Sequence, residues 1–317
     1  MTRSPSAAPI PLLVVAGPTG VGKTEISLEL AEKFDAEIVS ADSVQVYRGM
    51  DIGSAKPTRE EQARVPHHVI DVAAPDEAFS AGRYAELAAV AIEDITGRGK
   101  RPLLVGGSGL YLRALLEGLV TGASADPEVR RLIGERLTKE GLAAVRARLE
   151  DVDPASAARI HANDAYRIAR ALEVFELTGE PLSELQERQR RLPPAYDARW
   201  LGLTEDRPVL YDRIEARCDR MIAAGFLEEV VRLREEGFGL DLRPLRSLGY
   251  RQMGDVVRGE QTLPEALDEM KKETRRYAKR QITWFRARPG ISWLSPTRER
   301  RAILDSARVL LERGRAA

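Results

Sequence analysis

The sequence predicts an α/β fold in which a mostly parallel sheet carries helices on its faces and an all-helical lobe is inserted. In the first half of the chain, short β-branched apolar runs alternate with helical patterns, which is typical of βαβ units. The first run leads into the glycine-rich sequence GPTGVGKT, which indicates a sheet of the P-loop NTPase type. After Gly118 the sequence becomes rich in Ala, Leu, Arg and Glu at helical spacing, as expected of the inserted lobe.

The elements follow in order along the chain. Asp-Pro pairs at Asp126 and Asp153 predict helix starts in the lobe, and a long amphipathic helix is predicted over residues 208–234. We therefore divide the chain into a first part of the core (1–125), a helical insertion (126–195) and a core completion (196–317). The apolar runs interpreted as strands are residues 12–16, 37–40, 69–72, 103–105, 199–203 and 291–294.

Composition limits the possible functions. The chain has 317 residues, 43% of them hydrophobic, and its 49 Lys and Arg balance 49 Asp and Glu, so a nucleic-acid contact must come from local basic clusters. The single cysteine, Cys218, excludes an internal disulfide and a multi-thiolate zinc site. No segment has the length of a signal peptide core or a membrane span. We expect a cytoplasmic protein with no membrane partner.

The strongest motif is the P-loop between the first strand and a helix that starts near Gly22. Its backbone N–H groups point towards a bound anion at a helix N-terminus, Lys23 adds a positive charge, and the Thr24 hydroxyl suits Mg²⁺. The motif therefore predicts diphosphate binding, whether the diphosphate belongs to a nucleotide or to another ester. Its residues are Gly17, Pro18, Thr19, Gly20, Val21, Gly22, Lys23 and Thr24.

Asp42 ends the second predicted strand, at the edge where open parallel sheets bind their ligands. Two roles are compatible with this position. The carboxylate could orient Mg²⁺ or its waters, as acids of nucleotide hydrolases do. Alternatively, it could act as a general base. The absence of an Asn-Lys-x-Asp motif argues against a GTPase.

A series of motifs then follows in one order along nearly the whole chain. They are GPTGVGKT (17–24), SADSVQVYRGMDIGSAKP (40–57), PHHVIDV (66–72), PLLVGGSGLYLRALLEGL (102–119), DPEVR (126–130), NDAYRIARALEV (163–174), LRSLGYRQM (245–253) and AKRQITWFR (278–286). Together they resemble the bacterial tRNA dimethylallyltransferase family. A cytokinin-forming adenylate transferase is similar over the front motifs.

The resemblance implies that the P-loop holds the diphosphate of dimethylallyl diphosphate, with Mg²⁺ at Thr24, and that a dimethylallyl group is transferred to the exocyclic amine of an adenosine next to the anticodon in tRNA. Asp42 would be the general base. Ser108 stands where the family usually has threonine, which keeps the hydroxyl but loses the methyl. We also expect a monomer. The residues implied in activity are Asp42, Lys23, Thr19, Ser108 and Arg130.

The resemblance also implies contacts with the anticodon stem-loop of tRNA. Residues 271–288 contain eight basic residues and one acid, Glu273, with Tyr277, Trp284 and Phe285 interleaved for base stacking. Lys272, Arg276 and Arg280 recur at helical spacing, with Arg275 and Lys279 beside them. The residues implied in tRNA binding are Asp42, Ser43, Val44, Gln45, Tyr166, Arg167, Ile168, Ala169, Arg170, Arg246, Ser247, Leu248, Gly249, Tyr250, Arg251, Lys279, Arg280, Gln281, Ile282, Thr283, Trp284, Phe285 and Arg286.

Two functions of other classes remain open. A nucleotide kinase would use the same P-loop and consume ATP, and a non-catalytic RNA-binding protein would keep only the anion site. Arg213 and Arg217, four residues apart, could bind diphosphate or RNA, or pair with Glu residues on a solvated helix. His67, His68 and His161 lack metal-ligand spacing, so structural roles are expected. Cys218 is expected to be a buried apolar residue.

Overall fold

A computed structural model describes residues 8–120 and 126–312 of the chain. These residues form two compact units. The larger contains residues 8–116 and 195–312, and the smaller contains the described part of residues 117–194. The predicted boundary between residues 125 and 126 adjoins a segment, 121–125, that lies outside the described residues.

The larger unit is built on a six-stranded sheet in which every pairing is parallel. The strand order is β3-β2-β4-β1-β5-β6, so β4 lies between β2 and β1. This confirms the predicted α/β class with a parallel sheet, and five of the six predicted strands. The strands are β1 (Ile10–Ala16), β2 (Ala36–Ala41), β3 (His67–His68), β4 (Arg101–Gly106), β5 (Tyr196–Leu203) and β6 (Ser292–Leu294).

Helices account for most of the remaining described residues. In the larger unit, helices pack on the sheet, whose central strands β1, β2 and β4 are buried almost throughout, as expected of a parallel sheet covered on both faces. The helices are α1 (Lys23–Phe34), α2 (Arg59–Arg64), α3 (Ala81–Gly97), α4 (Gly109–Glu117), α5 (Pro127–Val152), α6 (Pro154–Arg159), α7 (Ala165–Thr178), α8 (Leu182–Arg190), α9 (Arg207–Ala223), α10 (Phe226–Glu235), α11 (Tyr250–Val257), α12 (Leu263–Arg286) and α13 (Arg300–Glu312).

The strand predicted over residues 69–72 is wrong. The strand at this place is His67–His68, and both Val69 (φ 62°) and Asp71 (φ 55°) adopt left-handed backbone conformations that no strand can contain. The apolar pattern has another cause. Val69 is buried, and the backbone after it turns to pair with the segment that follows β2, where Val72 N donates to Val46 O at 2.9 Å.

The single long helix predicted over residues 208–234 is also wrong. Two helices, α9 and α10, occupy this stretch, and the chain turns between them at Gly225. Gly225 has φ 94°, a backbone conformation that residues other than glycine rarely adopt. The buried residues of α10, among them Phe226 and Val230, continue the apolar spacing of α9, which hid the interruption in the sequence pattern.

The smaller unit consists of α5 to α8 and has an apolar core of its own. The predicted helix starts are confirmed, because Asp126 accepts from Glu128 N at 2.8 Å and Asp153 accepts from Ser156 N at 2.9 Å. The core residues of this unit are Ile133, Val145, Leu149, Ala157, Ile168, Ala171 and Leu172. In the described part of the chain, no helix is both long and apolar enough to cross a membrane.

Candidate functional site

The P-loop connects β1 to α1 at the carboxyl edge of the sheet. Gly20 (φ 81°) and Gly22 (φ 101°) take left-handed conformations that turn the chain into the first turn of α1. Lys23 begins this helix, and its Nζ donates to Gly17 O and Pro18 O, both at 2.9 Å. The ammonium group therefore lies across the loop that would enclose an anion.

The electrostatics of Lys23 indicate a site with excess positive charge. Burial, and then the nearby Arg217, lower the pKa of Lys23 from 10.5 to about 8, and Asp42 opposes this shift. An anion bound in the loop would relieve the same repulsion. The pKa effects also show that Lys23, Arg217 and Asp42 lie close enough to act on one another.

Arg217 reaches the P-loop from α9. Its guanidinium donates to Thr19 Oγ1 at 2.6 Å, while its Nε is buried and has no hydrogen-bond partner among the described residues. It forms no ion pair with a described carboxylate, so the expectation that it might pair with Glu on a solvated helix is wrong. Arg213, one turn earlier, donates to Val21 O at 3.4 Å and to Thr297 Oγ1 at 3.1 Å. Both arginines thus line the loop.

Asp42 follows β2 and is half-buried. Its Oδ1 accepts from Val44 N at 2.8 Å and from Gln45 N at 3.3 Å, which fixes the carboxylate within a tight turn. Its Oδ2 makes no hydrogen bond with a described residue. One oxygen thus orients the group, and the other remains open to a ligand.

Ser108 joins this turn to the segment after β4. Its Oγ accepts from Ser43 N at 3.1 Å, and its backbone N–H donates to Ala41 O at 3.1 Å. Tyr277, on α12, lies near Ser108 and Gln281, and burial raises the pKa of its hydroxyl to about 12. The serine hydroxyl thus holds a backbone N–H of the Asp42 turn in place.

Gln281 has a place in the site that the sequence did not suggest. It was expected to contact tRNA, but it is buried, and its Oε1 accepts from Thr19 N at 2.8 Å while its Nε2 donates to Gly107 O at 3.0 Å. The side chain thus bridges the P-loop and the end of β4. Its only signal in the sequence is its position on the apolar side of a helix otherwise dominated by charge.

An aromatic cluster lies beside Asp42. Tyr84 and Tyr111 stack with ring centroids 4.2 Å apart. The ring centroid of Phe79 lies 6.2 Å from those of both Tyr47 and Tyr111. The Tyr84 hydroxyl is buried without a partner among the described residues, and burial, followed by Tyr111, raises its pKa well above 10. Asp42 raises the pKa of Tyr84 and of Tyr111 further, which shows its proximity to the cluster.

One side of α12 is exposed and mostly basic; we call it the basic face and define it as Lys272, Arg276, Lys279, Arg280, Thr283 and Arg286. The opposite side is buried. Phe285 is fully buried and packs against Trp284 and Trp200, so the expectation that its ring stacks on RNA bases is wrong. Phe285 belongs to the core because it falls on the same helical side as Ala278 and Gln281. Trp284 and Ile282 are half-buried.

The segment 246–251 is divided in the same way. Arg246 is exposed, Ser247 and Leu248 are half-buried, and Arg251 pairs with Glu269 at 2.7 Å. Gly249 and Tyr250 are buried, so the prediction that Tyr250 contacts RNA is wrong for its ring. Its hydroxyl donates to Glu229 at 2.7 Å instead.

The remaining expected site residues lie in the smaller unit. Arg130 Nε donates to Glu173 at 2.6 Å, and Arg170 binds the other oxygen of the same buried carboxylate at 2.6 Å. Tyr166 and Arg167 are exposed at the start of α7, whereas Ile168 is fully buried in the core of this unit and cannot offer its side chain to RNA. Ala169 is half-buried.

Other conspicuous residues have structural contacts. His68 pairs with Glu37 at 2.7 Å, and His67 Nδ1 lies 2.7 Å from Val65 O. Cys218 is buried and free, as expected. The described residues contain no group of three or more His, Cys, Asp or Glu that could hold a metal ion, so a metal at the P-loop would need hydroxyl and ligand oxygens.

The site therefore combines an anion loop, two cations without a carboxylate partner among the described residues, and an oriented carboxylate. Comparison with known proteins assigns the chain to a family. A family model described as IPP transferase matches residues 45–288, most of the chain. The chain belongs to the IPP transferase family. Its relatives include a protein of Syntrophobacter fumaroxidans named tRNA dimethylallyltransferase, with 53% identity over 90% of this chain and 83% of that protein. Another, from Syntrophus aciditrophicus, is named tRNA dimethylallyltransferase 2, with 49% identity over 94% and 96%.

Solved structures of similar proteins agree with this membership of the IPP transferase family. A full-length tRNA isopentenylpyrophosphate transferase from Bacillus halodurans is 39% identical, with a TM-score of 0.70 and 96% of each chain covered. A eukaryotic dimethylallyltransferase described as acting on tRNA has a TM-score of 0.77 at 30% identity, covering 89% of this chain and 73% of that one. The α/β fold is thus shared with a bacterial tRNA isopentenylpyrophosphate transferase and a eukaryotic dimethylallyltransferase.

Proposed function

We propose that this chain transfers a dimethylallyl group from dimethylallyl diphosphate to the exocyclic amine of an adenosine next to the anticodon in tRNA, with release of diphosphate. The names of its relatives support the reaction class. The observation that carries the proposal in this chain is the pair of cations at the P-loop, Lys23 and Arg217, neither of which has a carboxylate partner among the described residues.

The P-loop is suited to bind diphosphate as the leaving group of the reaction. When the allylic C–O bond breaks, its electron pair goes to the diphosphate, whose negative charge grows. Lys23, Arg217 and the loop N–H groups would stabilise that charge, and such fixed electrostatics usually make the largest contribution to catalysis. The Thr24 hydroxyl, half-buried in the first turn of α1, is a hard oxygen ligand that would hold Mg²⁺, and the ion would neutralise further charge on the diphosphate.

Asp42 is suited to remove the proton from the attacking amine. The new bond forms between the nitrogen and the allylic carbon, and the amine proton would pass to the open oxygen Oδ2, since Oδ1 is engaged with Val44 N and Gln45 N. The P-loop and the Asp42 turn follow β1 and β2, which are separated by β4. Two strand spacings separate the ends of β1 and β2 by about 10 Å. The allyl group and its acceptor would lie between the two segments that follow these ends.

The tRNA is proposed to contact the basic face of α12. This face gathers the positive charge that the balanced composition of the whole chain lacks. Tyr277 and Gln281, on the same helix, extend towards Ser108 and Thr19. A nucleotide bound along the helix would thus be close to the carboxylate that accepts its proton.

The test is to incubate the chain with labelled dimethylallyl diphosphate and unmodified tRNA, to digest the RNA and to look for prenylated adenosine. Asp42→Asn is the matched variant, because its amide oxygen can still accept from Val44 N and hold the turn. We expect wild-type transfer, and a loss on the order of 10²-fold in Asp42→Asn with tRNA binding retained. Absence of labelled RNA together with ATP turnover would establish the kinase alternative instead.

A further inference from the structure

Glu229 is a buried carboxylate with an unusual set of donors. It lies on α10, is 1% exposed, and accepts from three consecutive backbone N–H groups of another segment. Its Oε2 accepts from Asp51 N at 3.0 Å and Ile52 N at 2.7 Å, and its Oε1 accepts from Gly53 N at 3.2 Å. Successive N–H groups that converge in this way form an anion-binding concavity, which here is filled by the protein's own side chain.

A fourth donor completes the coordination of this carboxylate. The buried hydroxyl of Tyr250 donates to Oε1 at 2.7 Å, and the Tyr250 ring packs edge-on against Phe226 at 4.9 Å. Burial of a carboxylate is costly unless its lone pairs are satisfied, and four hydrogen bonds offset that cost. The carboxylate thus fixes the backbone of residues 51–53 through hydrogen bonds that an apolar side chain could not make.

The backbone fixed by Glu229 leads directly to the Asp42 turn. The residues after the bound N–H groups present Ser54 O and Ala55 O to the amide of Gln45, whose Nε2 donates to them at 3.3 Å and 3.1 Å. Gln45 N in turn donates to Asp42 Oδ1. Three steps of hydrogen bonds therefore connect Glu229 with the carboxylate proposed as the base.

The close packing at Gly53 leaves little freedom for this connection to shift. A Cβ atom at Gly53 would lie 2.1 Å from the Phe226 ring and 2.7 Å from the Tyr250 ring, so only glycine permits the segment to approach α10 and α11 this closely. The motif residues around Tyr250, expected to contact tRNA, thus contribute to the support of the Asp42 turn from the inside.

We propose that Glu229 is a positioning residue for the transfer reaction, which acts through residues 51–55 and Gln45 on the Asp42 turn. This inference rests on the proposed function, because it concerns the proton acceptor of that reaction. A displacement of reacting groups by about 1 Å can reduce a rate on the order of 10²-fold. Loss of Glu229 should therefore lower kcat while the P-loop, which follows a different strand, keeps its affinity for diphosphate.

The experiment compares Glu229→Gln with Glu37→Gln. Both replace a buried carboxylate, but Glu37 lies at the start of β2, where it pairs with Arg98 and His68 away from the carboxyl edge. We expect Glu229→Gln to lower kcat for dimethylallyl transfer to tRNA at least about tenfold, with KM for dimethylallyl diphosphate changed less than about twofold. Glu37→Gln should lower the melting temperature but leave kcat of the folded protein unchanged.

Tyr250→Phe provides a milder variant if Glu229→Gln does not fold, since it removes one donor of four and keeps the ring. We expect a decrease in kcat of about threefold with KM unchanged. Amide hydrogen exchange gives a readout that does not depend on the reaction. The N–H groups of Val44 and Gln45 should exchange faster in either variant than in the wild type, and not in Glu37→Gln.

Wild-type kcat in a variant whose exchange at residues 44–45 is also unchanged would overturn the positioning role. Equal losses of kcat in Glu229→Gln and Glu37→Gln would overturn it as well, because they would reflect lost stability alone. Failure of the wild type to prenylate tRNA would instead contradict the proposed function. Faster exchange at residues 44–45 in Glu229→Gln would then still show that Glu229 holds the turn.

Discussion

Arg217 donates to the hydroxyl of Thr19 at 2.6 Å and keeps its buried Nε without a partner among the described residues. A buried, unsatisfied donor on a charged group costs free energy, which binding of an anion would recover. Burial lowers the pKa of this guanidinium for the same reason. The relationship indicates that the free protein is prepared for a phosphate oxygen at this position.

The first prediction concerns Arg217 itself. Arg217→Gln should raise KM for dimethylallyl diphosphate on the order of tenfold to a hundredfold, since hydrogen bonds to a charged group contribute about 1.5–3 kcal/mol. Steady-state kinetics measure this effect. Arg220→Gln, an exposed position on the same helix, is the control and should keep the wild-type KM. An unchanged KM in Arg217→Gln would show that this arginine does not bind the diphosphate.

The second prediction is a pH dependence from Lys23. Its pKa is lowered from 10.5 to about 8, so the ammonium group is charged below this pH and loses its proton as the pH rises through it. The affinity for inorganic diphosphate, measured by calorimetry, should therefore weaken as the pH rises past about 8. Lys23→Arg stays charged over this range, and the titration of the ligand is common to both proteins. Parallel curves for the two proteins would contradict the assignment.

Without a ligand, the stability of the protein should change with pH in the direction opposite to its affinity for diphosphate. Because the folded pKa of Lys23 lies below its unfolded value, the charged form destabilises the fold below about pH 8. The contribution of this residue to the free energy of unfolding should therefore increase as the pH rises from about 8 to 10.5. Denaturant titrations of wild type and Lys23→Arg across this range provide the measurement.

The third prediction concerns the basic face of α12. Lys279→Ala and Arg280→Ala should each weaken tRNA binding and reduce the slope of log K against log salt by roughly 1, as expected for the loss of a phosphate contact. Binding titrations at several salt concentrations measure both quantities. Arg308→Ala, an exposed position on α13, serves as the charge-matched control. Identical slopes in all the proteins would remove this face from the interface.

The fourth prediction distinguishes core packing from base stacking at Phe285. Phe285→Ala should reduce the free energy of unfolding by about 3–5 kcal/mol, as expected for a fully buried ring. Its tRNA affinity, measured on the folded fraction, should stay within about twofold of the wild type. A large loss of affinity at unchanged stability would restore the stacking role.

Much of the fold could be predicted because the local sequence specifies it. The P-loop, the strands that lead to it and the helix starts at Asp126 and Asp153 depend on residues within one turn of each other. In the two elements that were predicted wrongly, the apolar residues are buried as expected, but the backbone does not form the predicted strand or the single helix. Val69 is apolar because it is buried in a turn, and Gly225 interrupts a spacing that its neighbours continue.

The candidate site was predictable in its ligand-facing residues but not in their supports. Lys23 and Asp42 are recognisable from motifs. Arg217 was one candidate for the diphosphate, but only its contact with Thr19, almost two hundred residues away, separates that role from an ion pair on a solvated helix. Gln281 and Phe285 were assigned to RNA because their motif resembles the family's and their helix is basic. Which side of that helix faces the core depends on tertiary packing, and the charge pattern alone did not reveal it.

The position of β4 between β1 and β2 has a consequence for how the enzyme comes into being. The P-loop and the turn that bears Asp42 are both synthesised within the first 45 residues, yet the strand that separates them in the sheet, β4, comes only at residues 101–106. A nascent chain shorter than that already contains both reactive segments, but it lacks the spacer that sets them apart. Catalytic competence must therefore await the insertion of a later strand between two earlier ones.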